Sequence, residues 1–428
     1  MEDIKHLVEL LKSLDNKLAK CMKCGFCQAV CPLYNETFKE SDVSRGKIAI
    51  LEGLADSLLN NTEVASDRIN RCITCGSCKI NCPSGVDTLD IFYHSRIILS
   101  EYNGLSLAKK IIFRNILANP GLFDRLLQLG ASFQDALLKD VNKELQTSCV
   151  KFLPQLKNRH IKKLAKKPFH KRFNSNNNNS KINVLFFYGC VIDRILTSIG
   201  EATVNVLNHF HVNTYIPEKL ICCGLPALAS GDMKSFTMLL RQRIKTMEHI
   251  PFDYIITACA TCSYTLKELW KEYSYRLSTN EREIILNFSN KTLDVNEFLI
   301  NVLKLDSLKE NGVVKYNVTY HDPCHLKKSL KIQREPRKII AMMGHNFTEL
   351  PESDWCCGYG GSFNLQHYEL SYNIGLRKLK NIDTLKPDVV ATSCPGCILQ
   401  ITDMVSQNNK DYKIKHVIEL LEEQFKEV

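Results

Sequence analysis

Apolar residues recur at helical spacing over residues 3 to 18, where Ile4, Leu7, Val8, Leu11, Leu14 and Leu18 share one side and predict a helix leading into Cys21. The forty residues from Pro32 to Arg71 read as helices too, with Ile48, Leu51, Leu54 and Leu58 on one face. Helical periodicity continues from Ile97 to about Leu138 and is interrupted at Asn119-Pro120-Gly121, which predicts one helix ending and another beginning there. The pattern then changes. Residues 151 to 181, with the tract Asn176 to Asn179, bury little and predict an exposed linker. Beyond it, short β-rich runs (Ile182 to Cys190, Asp253 to Ala258, Tyr316 to Cys324, Asp388 to Thr392) alternate with helical stretches, the grammar of a small parallel α/β sheet.

The second half repeats itself. Cys190, Cys222-Cys223-Gly224 and Cys259-x2-Cys262 return as Cys324, Cys356-Cys357-Gly358 and Cys394-x2-Cys397, at offsets of 134, 134 and 135 residues. In each copy the cysteines follow the ends of predicted strands, where parallel sheets place their sites. Five thiols are therefore expected to converge at one edge of each unit. Gly224 and Gly358 predict tight turns with positive φ, so that adjacent thiols can face one site. A Cys-x2-Cys at a helix start meets free amides and the helix dipole, which stabilise thiolates. A structural zinc, a redox dithiol and an iron-sulfur centre compete for these five thiols. Zinc takes four ligands and a dithiol two, so the count favours the third.

Two further cysteine runs lie near the start: Cys21-x2-Cys24-x2-Cys27-x3-Cys31-Pro32 and Cys72-x2-Cys75-x2-Cys78-x3-Cys82-Pro83. This is bacterial ferredoxin spacing, in which the fourth cysteine serves the other cluster. It predicts one [4Fe-4S] cluster on Cys21, Cys24, Cys27 and Cys82 and a second on Cys72, Cys75, Cys78 and Cys31. Cys149 stands outside every motif and is expected to be an inert buried thiol.

Composition narrows the classes. The 428 residues are 44% hydrophobic and 24% charged, enough for two or three domains. Nineteen cysteines in so long a chain, with no apolar leader ahead of the first motif, read as metal ligands in a reducing cytoplasm. No run reaches membrane-spanning length. The net charge of +10 resides mostly in residues 151 to 172, which carry nine Lys/Arg and no Asp/Glu, so no basic nucleic-acid-binding face is expected. That segment suits either solvation or contact with anionic lipid or an acidic partner. His321, Asp322 and His325, around Cys324, are read first as helix-capping polar residues and second as groups that tune a cluster. Trp355 is read as core or as a shield beside Cys356. Tyr359-Gly360-Gly361 lacks the context of a dinucleotide fingerprint, and no P-loop or Ser/His/Asp signature occurs.

The Cys-x31-Cys-Cys-Gly and Cys-x2-Cys units resemble the cysteine-rich domain of heterodisulfide reductase subunits, of the cysteine-rich iron-sulfur subunit of anaerobic glycerol-3-phosphate dehydrogenase, and of the iron-sulfur subunits of glycolate oxidase and related D-lactate dehydrogenases. Arg45-Gly46-Lys47 and Cys82-Pro83-Ser84-Gly85-Val86 look most like the glycolate oxidase iron-sulfur subunit. The resemblance implies an α-helical two-cluster ferredoxin domain followed by two homologous small α/β cysteine-rich domains. The expected division is 1–100 (clusters), 101–150 (helical extension), 151–181 (linker), 182–310 (first repeat) and 311–428 (second repeat). It further implies one or two additional, non-cubane clusters on the repeats. Alcohol oxidation moves a hydride, which a flavin accepts and an iron-sulfur cluster does not, so FAD is expected on a partner flavoprotein dehydrogenase subunit. The expectation is an electron-transfer subunit of a glycolate or D-lactate dehydrogenase passing electrons to a quinone or other acceptor. It is expected in the cytoplasm or peripherally on the cytoplasmic face of the inner membrane. Disulfide chemistry on non-cubane clusters, an electron carrier like that of anaerobic glycerol-3-phosphate dehydrogenase and a zinc-binding scaffold are the alternatives.

Overall fold

The computed structural model describes residues 2–148, 159–176, 180–218, 222–308 and 315–425. The chain divides into two compact units. One comprises Met1–Arg114, Gly224–Phe236 and Gly358–Leu376; the other comprises Asn115–Cys223, Thr237–Cys357 and Arg377–Val428. Cys149, with residues 150–158 and 177–179, lies outside the described residues.

The first unit is helical. Glu2–Lys12 turns at Ser13 into Asp15–Leu18, and Leu7, Leu11, Leu14 and Leu18 are all buried, as their spacing predicts. They pack on Ile48, Leu51 and Leu54 of the helix Ser44–Ala55 and on Ile91, Phe92 and Leu99 of Thr88–Asn103. Leu58, expected on the same face, lies past the helix end and is exposed. Cys21, Cys72 and Cys82 pack against this core, so the burial that folds the helices also fixes the thiols.

The second unit holds two four-stranded sheets, each with the strand order second, first, third, fourth, and all pairs parallel. In the first repeat these strands are Asn183–Phe186, Asn213–Tyr215, Tyr254–Thr257 and Thr292–Asp294. In the second they are Asn317–His321, Asn346–Phe347, Val389–Thr392 and Lys413–His416. Central strands of parallel sheets are covered on both faces, which is why Val184, Leu185, Phe186 and Phe187, like Val389, Val390 and Ala391, are apolar without alternation and fully buried. The break foreseen at Asn119 is present: its side chain accepts from Leu122 N, and Pro120 opens the helix Pro120–Leu137.

The exposed linker expected over 151–181 is corrected for residues 159–176. Phe169 is fully buried against Phe173, Phe186 and Tyr188, at ring separations of 5.4 to 5.6 Å. The His170 Nδ1 lies 2.8 Å from Asp193 Oδ1, and Arg159 is buried. Charge density made the segment look solvated. Its two Phe residues instead cover the first sheet, and its cations find carboxylates.

Candidate metal centres

Both ferredoxin-like runs adopt one backbone. Lys23 and Thr74, each before the second cysteine, have φ of 55°, and the glycines after that cysteine, Gly25 and Gly76, have φ of 91° and 75°. Short helices, Phe26–Val30 and Ser77–Ile80, follow. Cys21, Cys24, Cys27 and Cys82 line one cavity; Cys31, Cys72, Cys75 and Cys78 line a second, with Cys78 also reaching the first. Cys82 thus borders the cavity of the first run and Cys31 that of the second, while Cys78 borders both.

Donors point at the sulfurs. Tyr34 N, Thr74 N and Val86 N each donate to Cys31, Cys72 and Cys82 Sγ at 3.4 Å, and the Thr88 hydroxyl lies 3.1 Å from Cys78 Sγ. Burial pushes the Cys31 thiol up to about 12 and that of Cys78 higher still. Such thiols ionise only when a cation replaces the proton, whereas the amide donors suit a thiolate. The donor set thus fits an iron-sulfur cluster in each cavity.

Cations stand beside the thiols. Lys47, buried and pulled down by desolvation, is drawn back up by Cys72, Asp42 and Cys31, and its ammonium donates to Ser41 O at 3.0 Å. Arg45 lines the first cavity, donating to Lys23 O at 3.2 Å and to Glu40. Between them Gly46 is obligatory, since a Cβ would lie 1.9 Å from Glu40 O. The Arg45-Gly46-Lys47 wording thus supplies two cations facing two cavities and the close approach that lets them do so.

In the cysteine-rich repeats Gly224 and Gly358 have φ of 94° and 91°, as expected. Cys259 and Cys394 are the N-cap residues of the helices Ala260–Tyr264 and Pro395–Gln407. Cys222, Cys223, Cys259 and Cys262 are buried and Cys190 half-buried; Cys356, Cys357, Cys394 and Cys397 are buried and Cys324 half-buried. Cys190 and Cys223 crowd Cys222 and push its thiol up; Cys223 and Cys259 do the same to Cys262. Cys357 and Cys397 Sγ are 3.5 Å apart. The Trp270 indole donates to Cys223 O at 2.9 Å and fixes the first turn.

The sequence did not indicate that the two thiol sets meet. Ala260 N donates to Ser393 O at 3.2 Å, Thr261 Oγ1 lies 3.8 Å from Cys394 Sγ, and His325 Nδ1 lies 3.2 Å from Thr261 Oγ1. Cys394 is also close enough to Cys259 to perturb its thiol. His325, read as a helix-capping residue, instead stacks on Tyr264 of the other repeat at 5.0 Å. Asp322 is likewise more than a cap. It accepts from both Arg337 Nη atoms at 2.8 Å, from Ser353 Oγ at 2.8 Å and from Lys327 at 3.2 Å. Trp355 is half-buried beneath the Arg377 guanidinium, 3.7 Å from its ring centre.

Each repeat also has a buried cation by its Cys-Cys-Gly turn. Arg243 feels Cys222 and Cys223, while Lys378, donating to Glu352 O and Ser353 O, is lowered to about 8 by burial and drawn up by Cys357 and Cys324. They fall 20 residues after Cys223 and 21 after Cys357.

Asp294 ends the first repeat's fourth strand and accepts from Asn296 N at 3.0 Å, Asn296 Nδ2 at 2.7 Å and Ser263 Oγ at 3.1 Å. Burial nonetheless pushes its carboxyl up to about 7. The unfolded value is about 3.9, so the contribution is fully present below about pH 4 and is lost as pH rises through about 7. Asp294→Asn is therefore expected to flatten the stability profile between pH 5 and 7, by at most about 1.4 kcal/mol per pH unit. Denaturant midpoints of both proteins across pH 5 to 8 check this; parallel profiles would refute it.

The "4Fe-4S dicluster domain" family matches residues 17–86, and the "Cysteine-rich domain" family matches 184–267 and 318–402. A probable glycolate oxidase iron-sulfur subunit of Bacillus subtilis is 27% identical over 429 residues, covering 95% of this chain and 94% of that protein. The chain is thus similar to glycolate oxidase iron-sulfur subunits over nearly its whole length. The Escherichia coli glycolate oxidase iron-sulfur subunit is 24% identical, covering 96% of this chain and 94% of its own length. Lactate utilization protein A of Bacillus licheniformis is 28% identical over 239 residues, 56% of this chain and 98% of that protein. The two family matches fall on the helical two-cluster domain and on the two α/β cysteine-rich domains described above, and both matched families are iron-sulfur or cysteine-rich domains. No described helix is long and apolar enough to cross a membrane.

Proposed function

We propose that this chain is the electron-transfer subunit of a flavin-dependent 2-hydroxyacid dehydrogenase, with glycolate or D-lactate as substrate and a quinone or similar acceptor. The observation that carries the reading is the grouping of Cys21, Cys24, Cys27 and Cys82 around one cavity and Cys31, Cys72, Cys75 and Cys78 around the next, in a chain similar almost end to end to glycolate oxidase iron-sulfur subunits. Bound there, [4Fe-4S] clusters would accept and release single electrons. The protein's own part is to hold the thiolates, screen them with amides and with Lys47 and Arg45, and keep the second set dry. A flavoprotein partner takes the hydride from the substrate and gives up its two electrons singly. The cysteines of the repeats hold further iron-sulfur centres in the same reading.

The test is reconstitution. The chain is mixed anaerobically with a candidate flavoprotein and glycolate or D-lactate, and bleaching of its iron-sulfur absorbance is followed. Bleaching that requires both flavoprotein and 2-hydroxy acid supports the reading. Bleaching by neither acid, with reoxidation of the reduced chain by low-molecular-weight disulfides, favours a second reading. That reading is disulfide chemistry at the repeats, and the contact between the two thiol sets at Thr261 and Cys394 speaks for it.

A further inference from the structure

The two repeats are chemically unequal at one buried position. His321 ends the first strand of the second repeat, and at the 134-residue offset its counterpart is Phe187. Both side chains are fully buried. Phe187 packs edge-on against Trp270, with ring centres 6.2 Å apart, and offers no donor atom. His321 offers one. Its Nδ1 lies 3.1 Å from Ser353 O, and a carbonyl only accepts, so Nδ1 carries the proton and Nε2 presents a lone pair. Nε2 meets no nitrogen or oxygen partner in this buried setting, and the Cys357 thiol is the group that interacts with the ring. A ring nitrogen of His321 and the sulfurs of Cys357 and Cys397 lie within 4.8 Å of one another. With Nδ1 committed to Ser353, Nε2 is the nitrogen left for them.

From this geometry we infer that His321 Nε2 is, with Cys357 and Cys397, a ligand of one iron ion in the second repeat, whereas the first repeat's centre is held by sulfur alone. The inference rests on the reading that the repeats bind iron. Three features support it. A ligating histidine characteristically donates its other ring N–H to a carbonyl or carboxylate, which fixes the tautomer, and the bond to Ser353 O is of that kind. Two thiolates on one tetrahedral ion with arms of about 2.3 Å stand about 3.8 Å apart, close to the 3.5 Å between Cys357 and Cys397. Finally, Ser353 O also accepts from Lys378 at 3.2 Å, so the carbonyl that orients the imidazole is itself held.

If the neutral imidazole takes a coordination position that a thiolate fills in the first repeat, the centre would be less negative and its reduction potential higher, as with histidine ligation in two-iron clusters. A centre held there would be the easier of the two to reduce, with His321, Cys357 and Cys397 as its ligands. Phe187 in the first repeat and His321 in the second thus give the two sites different donor sets.

The test uses the full chain, purified anaerobically and reduced, with and without 15N-histidine labelling. The expected result is a strong nitrogen hyperfine coupling in pulsed EPR that changes with 15N-histidine. It is expected to be lost in His321→Phe, the residue of the first repeat, and retained in His325→Gln. In His321→Phe the midpoint potential of the affected signal is expected to fall. Labelling requires no variant, so the question survives if His321→Phe does not fold. Iron above the ferredoxin complement with no histidine coupling would overturn this ligand assignment alone. Iron and sulfide at about eight per chain, with no iron on the repeats, would overturn it together with the reading beneath it.

Discussion

The double variant Cys222→Ser/Cys356→Ser is expected to lose iron and acid-labile sulfide while keeping the ferredoxin-type EPR signals. The unaltered chain should hold more than about eight irons and the variant should fall toward eight, because the eight cysteines of the helical unit suffice for two four-iron clusters. Serine is nearly isosteric, and both sites are almost closed to solvent, so the fold should persist with unchanged circular dichroism. What changes is ionisation, since a serine hydroxyl stays protonated where a metal-bound thiol does not. The crowding makes the effect large. Cys222 is held protonated by Cys190 and Cys223 around it, and Cys262 by Cys223 and Cys259, so the first repeat's thiols ionise together only around metal, assisted by Arg243. About eight irons in both proteins would mean that the repeats hold none. Stoichiometric zinc in the same assay would mean that the five-cysteine sites are structural.

What was legible in the sequence was local. Ferredoxin spacing survives as a grouping of thiols because three cysteines at intervals of three residues, with glycine after the second, specify a turn by themselves. The repeat was legible because Cys-Cys-Gly and Cys-x2-Cys recur at nearly one offset, and the strands because Val184 to Phe187 and Val389 to Ala391 are continuous apolar runs. Long-range pairing was not. Nothing in the order of residues says that Ala260 donates to Ser393 or that Thr261 faces Cys394, since both lie in helix starts that would also serve two separate sites. The buried cations were hidden for a different reason. Lys47, Arg96, Arg243 and Lys378 occur on helices where a basic residue ordinarily faces water, and only the position of the thiols makes their burial intelligible. Residues 159–176 misled in the opposite direction. Their charge suggested solvent, but Phe169, set among cations, is the residue that docks the segment.

Arg96→Met is expected to lower the stability of the helical unit by about 2–4 kcal/mol, since a buried acceptor left without its donor costs about 1–3 kcal/mol and several are affected. Arg96 projects from the helix Thr88–Asn103 and is 5% exposed. Its guanidinium donates to Cys72 O at 2.6 Å, Ala229 O at 2.9 Å, Ile69 O at 3.0 Å and Asn70 O at 3.3 Å. Ile69 and Asn70 end the helix Thr62–Asn70, so two of these carbonyls are among the last of that helix, without partners inside it. Arg96 therefore closes a helix, ties it to the segment after the first Cys-Cys-Gly turn and fixes the first cysteine of the second run. Methionine fills the volume and satisfies none of the four acceptors. Domains are stable by only about 5–15 kcal/mol, so the loss should shift the denaturant midpoint substantially and perturb the EPR signal of the centre bound through Cys72. Arg96→Lys should recover part of the loss, because a single ammonium cannot reproduce the fork that reaches four carbonyls. The same ranking is expected for the wild-type, Lys and Met proteins in both measurements. A midpoint unchanged to within about 0.5 kcal/mol in Arg96→Met would show that water replaces the guanidinium and that these bonds do not hold the unit together.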